Sequence, residues 1–225
     1  IINIALSGHA STGKTTLAEA MMLNGGSIHK MGNIQDGTTI SDYREYEISN
    51  QHSISLSLMN LEWMDKKFNI IDSPGYLDFH GEVKSAMSVA DFAALLVNAS
   101  EGIDVGTQLC WEYADKEFKI PKLFIINMAD KEQSDYNSVL SALQSHYGRT
   151  VFPLTIPLNQ GPGFNQIADV FGLKKNLIIP VKSSFLNQIA KRPLNSSLNC
   201  NKLQSEMNIE LYPVEYGIRR VNLSA

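Results

Sequence analysis

The hydrophobic positions of this chain fall into short unbroken runs separated by stretches of mixed polarity. Ile1-Ile2-Asn3-Ile4-Ala5-Leu6, Phe92-Ala93-Ala94-Leu95-Leu96-Val97 and Leu123-Phe124-Ile125-Ile126 are near-continuous apolar runs, the pattern of strands buried on both faces. Ser53-Ile54-Ser55-Leu56-Ser57-Leu58 alternates strictly and predicts a strand with one buried face. A turn at Asp65-Lys66 would bring Phe68-Asn69-Ile70-Ile71 back as its antiparallel partner, ending at Asp72. Helical periodicity covers Thr16 to Leu23, Asp78 to Ala90 with Val83, Ala86, Met87 and Ala90 on one face, Thr107 to Phe118, and Val139 to Tyr147. A last strand at Leu177-Ile178-Ile179-Pro180-Val181 runs into Ser183-Ser184. Strand, helix, strand repeats of this kind predict an α/β fold: a mostly parallel central sheet with helices on both faces and one antiparallel edge strand. Asn24 to Gln51 has no regular period, and loops of that length inside compact domains are usually functional or disordered. There is no internal repeat.

Four polar elements punctuate the strand ends, where open α/β sheets bind ligands. The first, Gly8-His9-Ala10-Ser11-Thr12-Gly13-Lys14-Thr15, fits G-x-x-x-x-G-K-[ST], the phosphate loop of the phosphate-loop NTPase fold. Its glycines let the backbone curl with N–H groups aimed inward at the positive end of the following helix, which starts at Thr16. Lys14 would reach the β- and γ-phosphate oxygens, and the Thr15 hydroxyl would bind the Mg²⁺ that bridges them. The second, Asp72-Ser73-Pro74-Gly75, sets a carboxylate on a strand end, followed by a turn whose glycine can approach a ligand; an acid so placed typically holds Mg²⁺ through water. Read alone it is an ordinary turn. Asn127 and Asp130 follow the third apolar run, and Ser183-Ser184 the last.

Length and composition narrow the class. With 225 residues and 44% hydrophobic content the chain can bury a real core. A net charge of −4 gives no support to unaided binding of free nucleic acid or an anionic membrane. The two cysteines, Cys110 and Cys200, have no metal spacing and suggest a reducing compartment, by default the cytoplasm. No apolar run is long enough to span a bilayer.

The motifs together resemble the guanine-nucleotide domain of translational GTPases, most closely elongation factor G and its paralogues. The resemblance rests on the phosphate loop, Asp36-Gly37-Thr38-Thr39 with Ser41-Asp42-Tyr43, Asp72-Ser73-Pro74-Gly75-Tyr76-Leu77-Asp78-Phe79, Asn127-Met128-Ala129-Asp130 and Ser183-Ser184-Phe185. It implies GTP and GDP as ligands with Mg²⁺, hydrolysis of GTP, and a conformational switch read by the ribosome through domains this chain does not show. Residues 24–53 would be the first switch loop and residues 72–90 the second, ordered by γ-phosphate and Mg²⁺. Thr15, Ser53 and Asp72 would serve the metal, with Ser53 standing for the usual threonine. The phosphate loop through Thr16 and the Asp72 to Gly75 turn would contact the nucleotide. Asp130 would accept from guanine's ring N–H and amino group, Asn127 would tie its loop to the phosphate loop, and the Ser183-Ser184 backbone would meet the guanine carbonyl.

The chain also departs from the family pattern. Met128 replaces a lysine that covers the base, and a methionine offers similar apolar, polarisable cover, so weaker guanine binding is expected. Ser11 replaces an aspartate. Tyr76 stands where most members carry the histidine that orients the attacking water, though one branch has tyrosine; with Lys14 it is the candidate catalytic residue. His52 replaces an apolar residue and reads as an exposed loop histidine. The resemblance assigns residues 1–185 to a nucleotide domain with a shortened insert near 151–176 and leaves 186–225 unassigned, so the chain reads as either a fragment or a shortened paralogue. The alternatives to a GTPase are a guanine-nucleotide-binding regulatory module with little hydrolysis, or a different phosphate-loop ATPase or kinase.

Overall fold

The computed structural model describes residues 1–148 and 150–170. Among them, five strands form a central sheet in the order β2-β3-β1-β4-β5, where β1 is Ile2–Gly8, β2 Ser57–Trp63, β3 Lys66–Asp72, β4 Phe92–Asn98 and β5 Lys122–Asn127. β1 pairs in parallel with β3 and β4, β4 in parallel with β5, and β2 is the antiparallel edge. The helices are α1 (Lys14–Asn24), α2 (Glu45–Asn50), α3 (His80–Ser88), α4 (Val105–Glu112), which continues as a π-helical turn over Tyr113–Glu117, and α5 (Tyr136–Tyr147). A separate two-stranded antiparallel pair, β6 (Thr155–Pro157) with β7 (Ile167–Asp169), lies in the stretch predicted to open the insert. The predicted strand at Leu177 to Val181, the Ser183-Ser184 element and Cys200 lie outside the described residues.

The apolar runs become strands because each faces two cores. On β1, Ile4 and Leu6 pack with Ala18 and Met22 of α1, Met59 and Leu61 of β2, and Leu96. Ala5, between them, faces the other way with Ile71, Leu95, Val83, Ala86 and Met87 of α3, and Cys110 of α4. Full burial of each large apolar side chain is worth about 1.5–3 kcal/mol, so a polar residue on either face of β1 or β4 would be costly. The buried Cys110 thiol is pushed up to about 11 by burial, as befits an inert core group. Among the described residues no helix is long and apolar enough to cross a membrane.

Two local readings are corrected. The alternation from Ser53 predicts a strand there, but β2 begins at Ser57. The amides of Ile54 and Ser55 instead donate to the buried Glu47 carboxylate, each at 3.0 Å, so this segment is held by a side chain rather than by a neighbouring strand. The hairpin turn also sits one residue early: Met64 and Asp65, both with positive φ (49° and 59°), link Trp63 to Lys66. A two-residue turn with both φ positive matches the twist of its strands.

Candidate functional site

The parallel strands end on one side of the sheet, and the candidate residues collect there because register aligns those ends. Asp72 at the end of β3 lies beside Leu6 of β1, Gly8 beside Leu96, and Asn98 beside Asn127. Residues 8–14 curl from β1 into α1, whose start is capped by no side chain. The free N–H groups of a helix start, with the positive end of its dipole, form a receptor for an anion. The curl requires glycine at Gly13, where φ is +88° and an added Cβ would lie 2.5 Å from the Asn127 side-chain amide. Ser11 takes a left-handed φ of 61°. The buried Thr12 hydroxyl donates to the His9 carbonyl at 2.9 Å, tying the loop across its base. His9 stands 3.7 Å from Asp104, which caps α4.

Lys14 is buried, and its Nζ donates to the carbonyls of Gly8 (3.1 Å) and His9 (2.6 Å). Burial pulls its pKa below the ordinary lysine value, against the attraction of the Asp72 carboxylate. The Thr15 hydroxyl donates to Asp72 Oδ2 at 2.7 Å and lies 3.3 Å from the Ser53 hydroxyl. Asp72 is itself buried, and burial pushes its pKa up to about 6, opposed by the Thr15 hydroxyl and by Lys14. Ser73 turns inward and donates to the Leu6 carbonyl at 2.6 Å, and Pro74 is buried behind it. Gly75 then brings the chain back onto the loop so closely that a Cβ there would lie 2.5 Å from Lys14 Nζ and 2.6 Å from Ala10. Tyr76 follows, nearly half exposed.

Ala10, Ser11, Gly13, Lys14, Thr15, Thr16, Ser53, Gly75, Tyr76 and Met128 thus border one cavity of about 350 Å³, whose wall also includes Asp42 and His52. From β5, Asn127 Nδ2 donates to the Thr12 carbonyl at 2.9 Å, joining the loop after β5 to the loop after β1. Met128, with φ of 60°, borders the cavity, and Asp130 is exposed two residues further on. Ser183 and Ser184 lie outside the described residues.

Asp42 is buried at the cavity wall, a position that the pattern of the sequence does not reveal. Among the described residues neither of its carboxylate oxygens has a partner in hydrogen-bonding geometry, and burial raises its pKa against the pull of the nearby Ser53 hydroxyl. Asp72 Oδ1 is likewise buried and, among the described residues, unpartnered. Two buried carboxylates with open oxygens, beside two hydroxyls, form a set of hard oxygen donors suited to Mg²⁺, which is usually held by one or two protein oxygens, water and phosphate. The only sequence signal for Asp42 was its place in Ser41-Asp42-Tyr43, a string noted for its resemblance and not for chemistry.

Two further carboxylates shape the loop ahead of the site. The buried Glu19 on α1 accepts from the amides of Gly32 (2.8 Å) and Ile40 (2.5 Å), and Glu82 of α3, half-buried, accepts from Leu56 at 2.8 Å. With Glu47 they fix residues 32–56, so the long aperiodic segment has a defined path set by side chains.

A family model described as the elongation factor Tu GTP binding domain matches residues 1–214. The chain is 34% identical over 159 residues to an elongation factor G-like protein of Mycobacterium tuberculosis, covering 71% of this chain and 22% of that protein. It is 31% identical over 173 residues to elongation factor G 1 of Treponema denticola, covering 77% of this chain and 25% of that one. A crystal structure from Thermus thermophilus superimposes with a TM-score of 0.72 at 33% identity, over 76% of this chain and 26% of the other. The chain therefore spans about a quarter of the length of the curated relatives it matches.

Proposed function

Since this chain belongs to the translational GTPases, through the elongation factor Tu GTP binding domain that they share, we propose that its cavity binds GTP with Mg²⁺ and hydrolyses it to GDP and phosphate. The observation that carries this reading is the convergence of the Thr15 hydroxyl on Asp72 (2.7 Å) and Ser53 (3.3 Å) beside the buried Lys14 ammonium. Gly8 to Thr16 receive the phosphates on backbone N–H groups, and Lys14 exchanges its carbonyl partners for phosphate oxygens. Thr15 and Ser53 would offer hydroxyl oxygens to Mg²⁺, with the Asp72 and Asp42 carboxylates as the acids beside it. Bound Mg²⁺ supplies charge neutralisation between the β- and γ-phosphates. The Asp72 to Gly75 turn closes over the terminal phosphate and leaves Tyr76 at its edge.

Guanine is read by Asp130, since a carboxylate can accept from both ring N–H and amino group of guanine but finds no such pair on adenine. Met128 covers one side of the base and Asn127 holds the base loop to the phosphate loop. Hydrolysis would drive a switch in the loops carrying Ser53 and Gly75, read by the ribosome, with cytoplasmic residence as the family expectation. Residues 1–185 form the nucleotide domain in this account.

A second reading, a guanine-nucleotide-binding module with little hydrolysis, is favoured by Tyr76, whose phenol can hold water but is a poor proton acceptor. Equilibrium titration with GTP and ATP, followed by phosphate release with and without ribosomes, separates the readings. GTP preference with turnover supports the GTPase, and GTP preference without turnover supports the module. Asp130→Asn is expected to cut the preference for GTP over ATP by at least about tenfold; unchanged selectivity would remove Asp130 from the base site.

A further inference from the structure

His52 occupies a place where an apolar residue is usual, yet it is not a bystander on an exposed loop. Its ring is half-buried against Tyr76, edge-on, with centroids 4.8 Å apart and planes at 64°. Both rings border the cavity that holds Lys14, Thr15 and Ser53. His52 Nδ1 lies 2.9 Å from the carbonyl oxygen of Asn50. A carbonyl oxygen has no proton to give, so this hydrogen bond requires Nδ1 to carry one. The neutral imidazole then keeps its lone pair on Nε2, the ring's acceptor. A backbone carbonyl that orients one ring nitrogen also fixes the direction in which the other accepts a hydrogen bond. The adjoining residue, Ser53, is tied to Thr15, so the segment bearing His52 is anchored at the metal-binding hydroxyls.

We propose that His52 is a catalytic residue of this site and that its Nε2 accepts the hydrogen bond of the attacking water, with the Tyr76 ring holding the imidazole in place. The proposal rests on reading the cavity as a GTP site. In the step, the water oxygen forms a bond to the terminal phosphorus as the bond from that phosphorus to the bridging oxygen breaks. The bridging electron pair leaves on GDP. The water's proton passes to an oxygen of the terminal phosphate, and Nε2 only accepts the hydrogen bond that orients the water. The water-orienting group thus comes from the loop ahead of β2 rather than from the turn after β3, and Tyr76 becomes its support.

The test compares the full chain with His52→Ile, which restores the usual apolar character, and His52→Gln, whose side-chain oxygen can still accept from water. GTP affinity is measured by titration and hydrolysis by single-turnover phosphate release with Mg²⁺ and excess protein. His52→Ile is expected to lower the hydrolysis rate about 100-fold with GTP affinity within about twofold, and His52→Gln to fall between it and the parent. A His52→Ile rate equal to the parent's overturns the proposal. So does a loss of affinity matching the loss of rate in both variants, which marks a role in holding the loop. A parent that binds GTP without turnover overturns it while sparing the binding site, whereas a parent that binds no GTP removes the site reading beneath it.

Discussion

Replacing Asp72 by asparagine puts the electrostatics of the site to a quantitative test. Burial raises the Asp72 pKa from 3.8 to about 6 in the folded protein. A shift of that size is a bias of about 3 kcal/mol against the ionised form. Above pH 6 the folded state carries this penalty in full. As pH falls from 6 towards 3.8 the folded carboxyl takes up a proton that the unfolded chain still lacks, and the penalty is relieved. Asp72→Asn removes the charge, and its repulsion with Asp42, at every pH, while its amide oxygen can still accept from Thr15. After allowance for the new N–H donors in a buried position, the expected gain for nucleotide-free protein is about 1–2 kcal/mol at pH 8. That corresponds to a rise in Tm of about 2–8 °C for a chain of this size. The gain should shrink by about 1.4 kcal/mol between pH 8 and pH 5 and further towards pH 3.8, because the folded parent takes up a proton that the unfolded chain still lacks. Thermal unfolding followed by circular dichroism at pH 8 and pH 5, without nucleotide or Mg²⁺, measures both gaps. With Mg²⁺ and GTP the order should reverse, because metal binding requires the ionised form and stabilises the parent in proportion to ligand over Kd. A variant less stable than the parent at pH 8, or a gap independent of pH, would refute the argument that Asp72 is held at a cost in stability for the sake of the metal.

Two other perturbations address the loop and the anion site. Glu19→Ala leaves the amides of Gly32 and Ile40 without their acceptor, which should cost about 1–3 kcal/mol locally and speed hydrogen exchange over residues 32–40 by at least about fivefold. Exchange unchanged in that segment would show that Glu19 does not hold it. Lys14→Ala removes the buried ammonium and should weaken GTP binding by about 10- to 100-fold in a fluorescent-nucleotide titration; undiminished affinity would place the phosphates elsewhere.

Much of this protein is written locally. The phosphate loop is eight contiguous residues whose glycines follow from backbone curvature and whose lysine and threonine follow from the anion and metal they would meet, and the unbroken apolar runs read as buried strands. Those signals span a few residues, so they survive in a linear reading, as did the expectation of a mostly parallel sheet with one antiparallel edge. The alternation at Ser53 to Leu58 misled because the same pattern also fits an extended segment whose amides are claimed by Glu47. Glu19, Glu47 and Glu82 carry no motif, and neither Asp42 nor His52 is marked for chemistry by its place in the sequence. Their partners lie 13 and 21 residues away for Glu19 and 26 for Glu82, and a carboxylate in a polar stretch looks solvated until a core closes over it. The sequence by itself therefore determined the parallel strands of the described sheet and the loop and helix that follow the first of them. Which carboxylates are stripped of water, which amides they hold, and that His52 meets Tyr76 were decided only when the sheet brought distant segments together, because desolvation and close contact are properties of the packed chain.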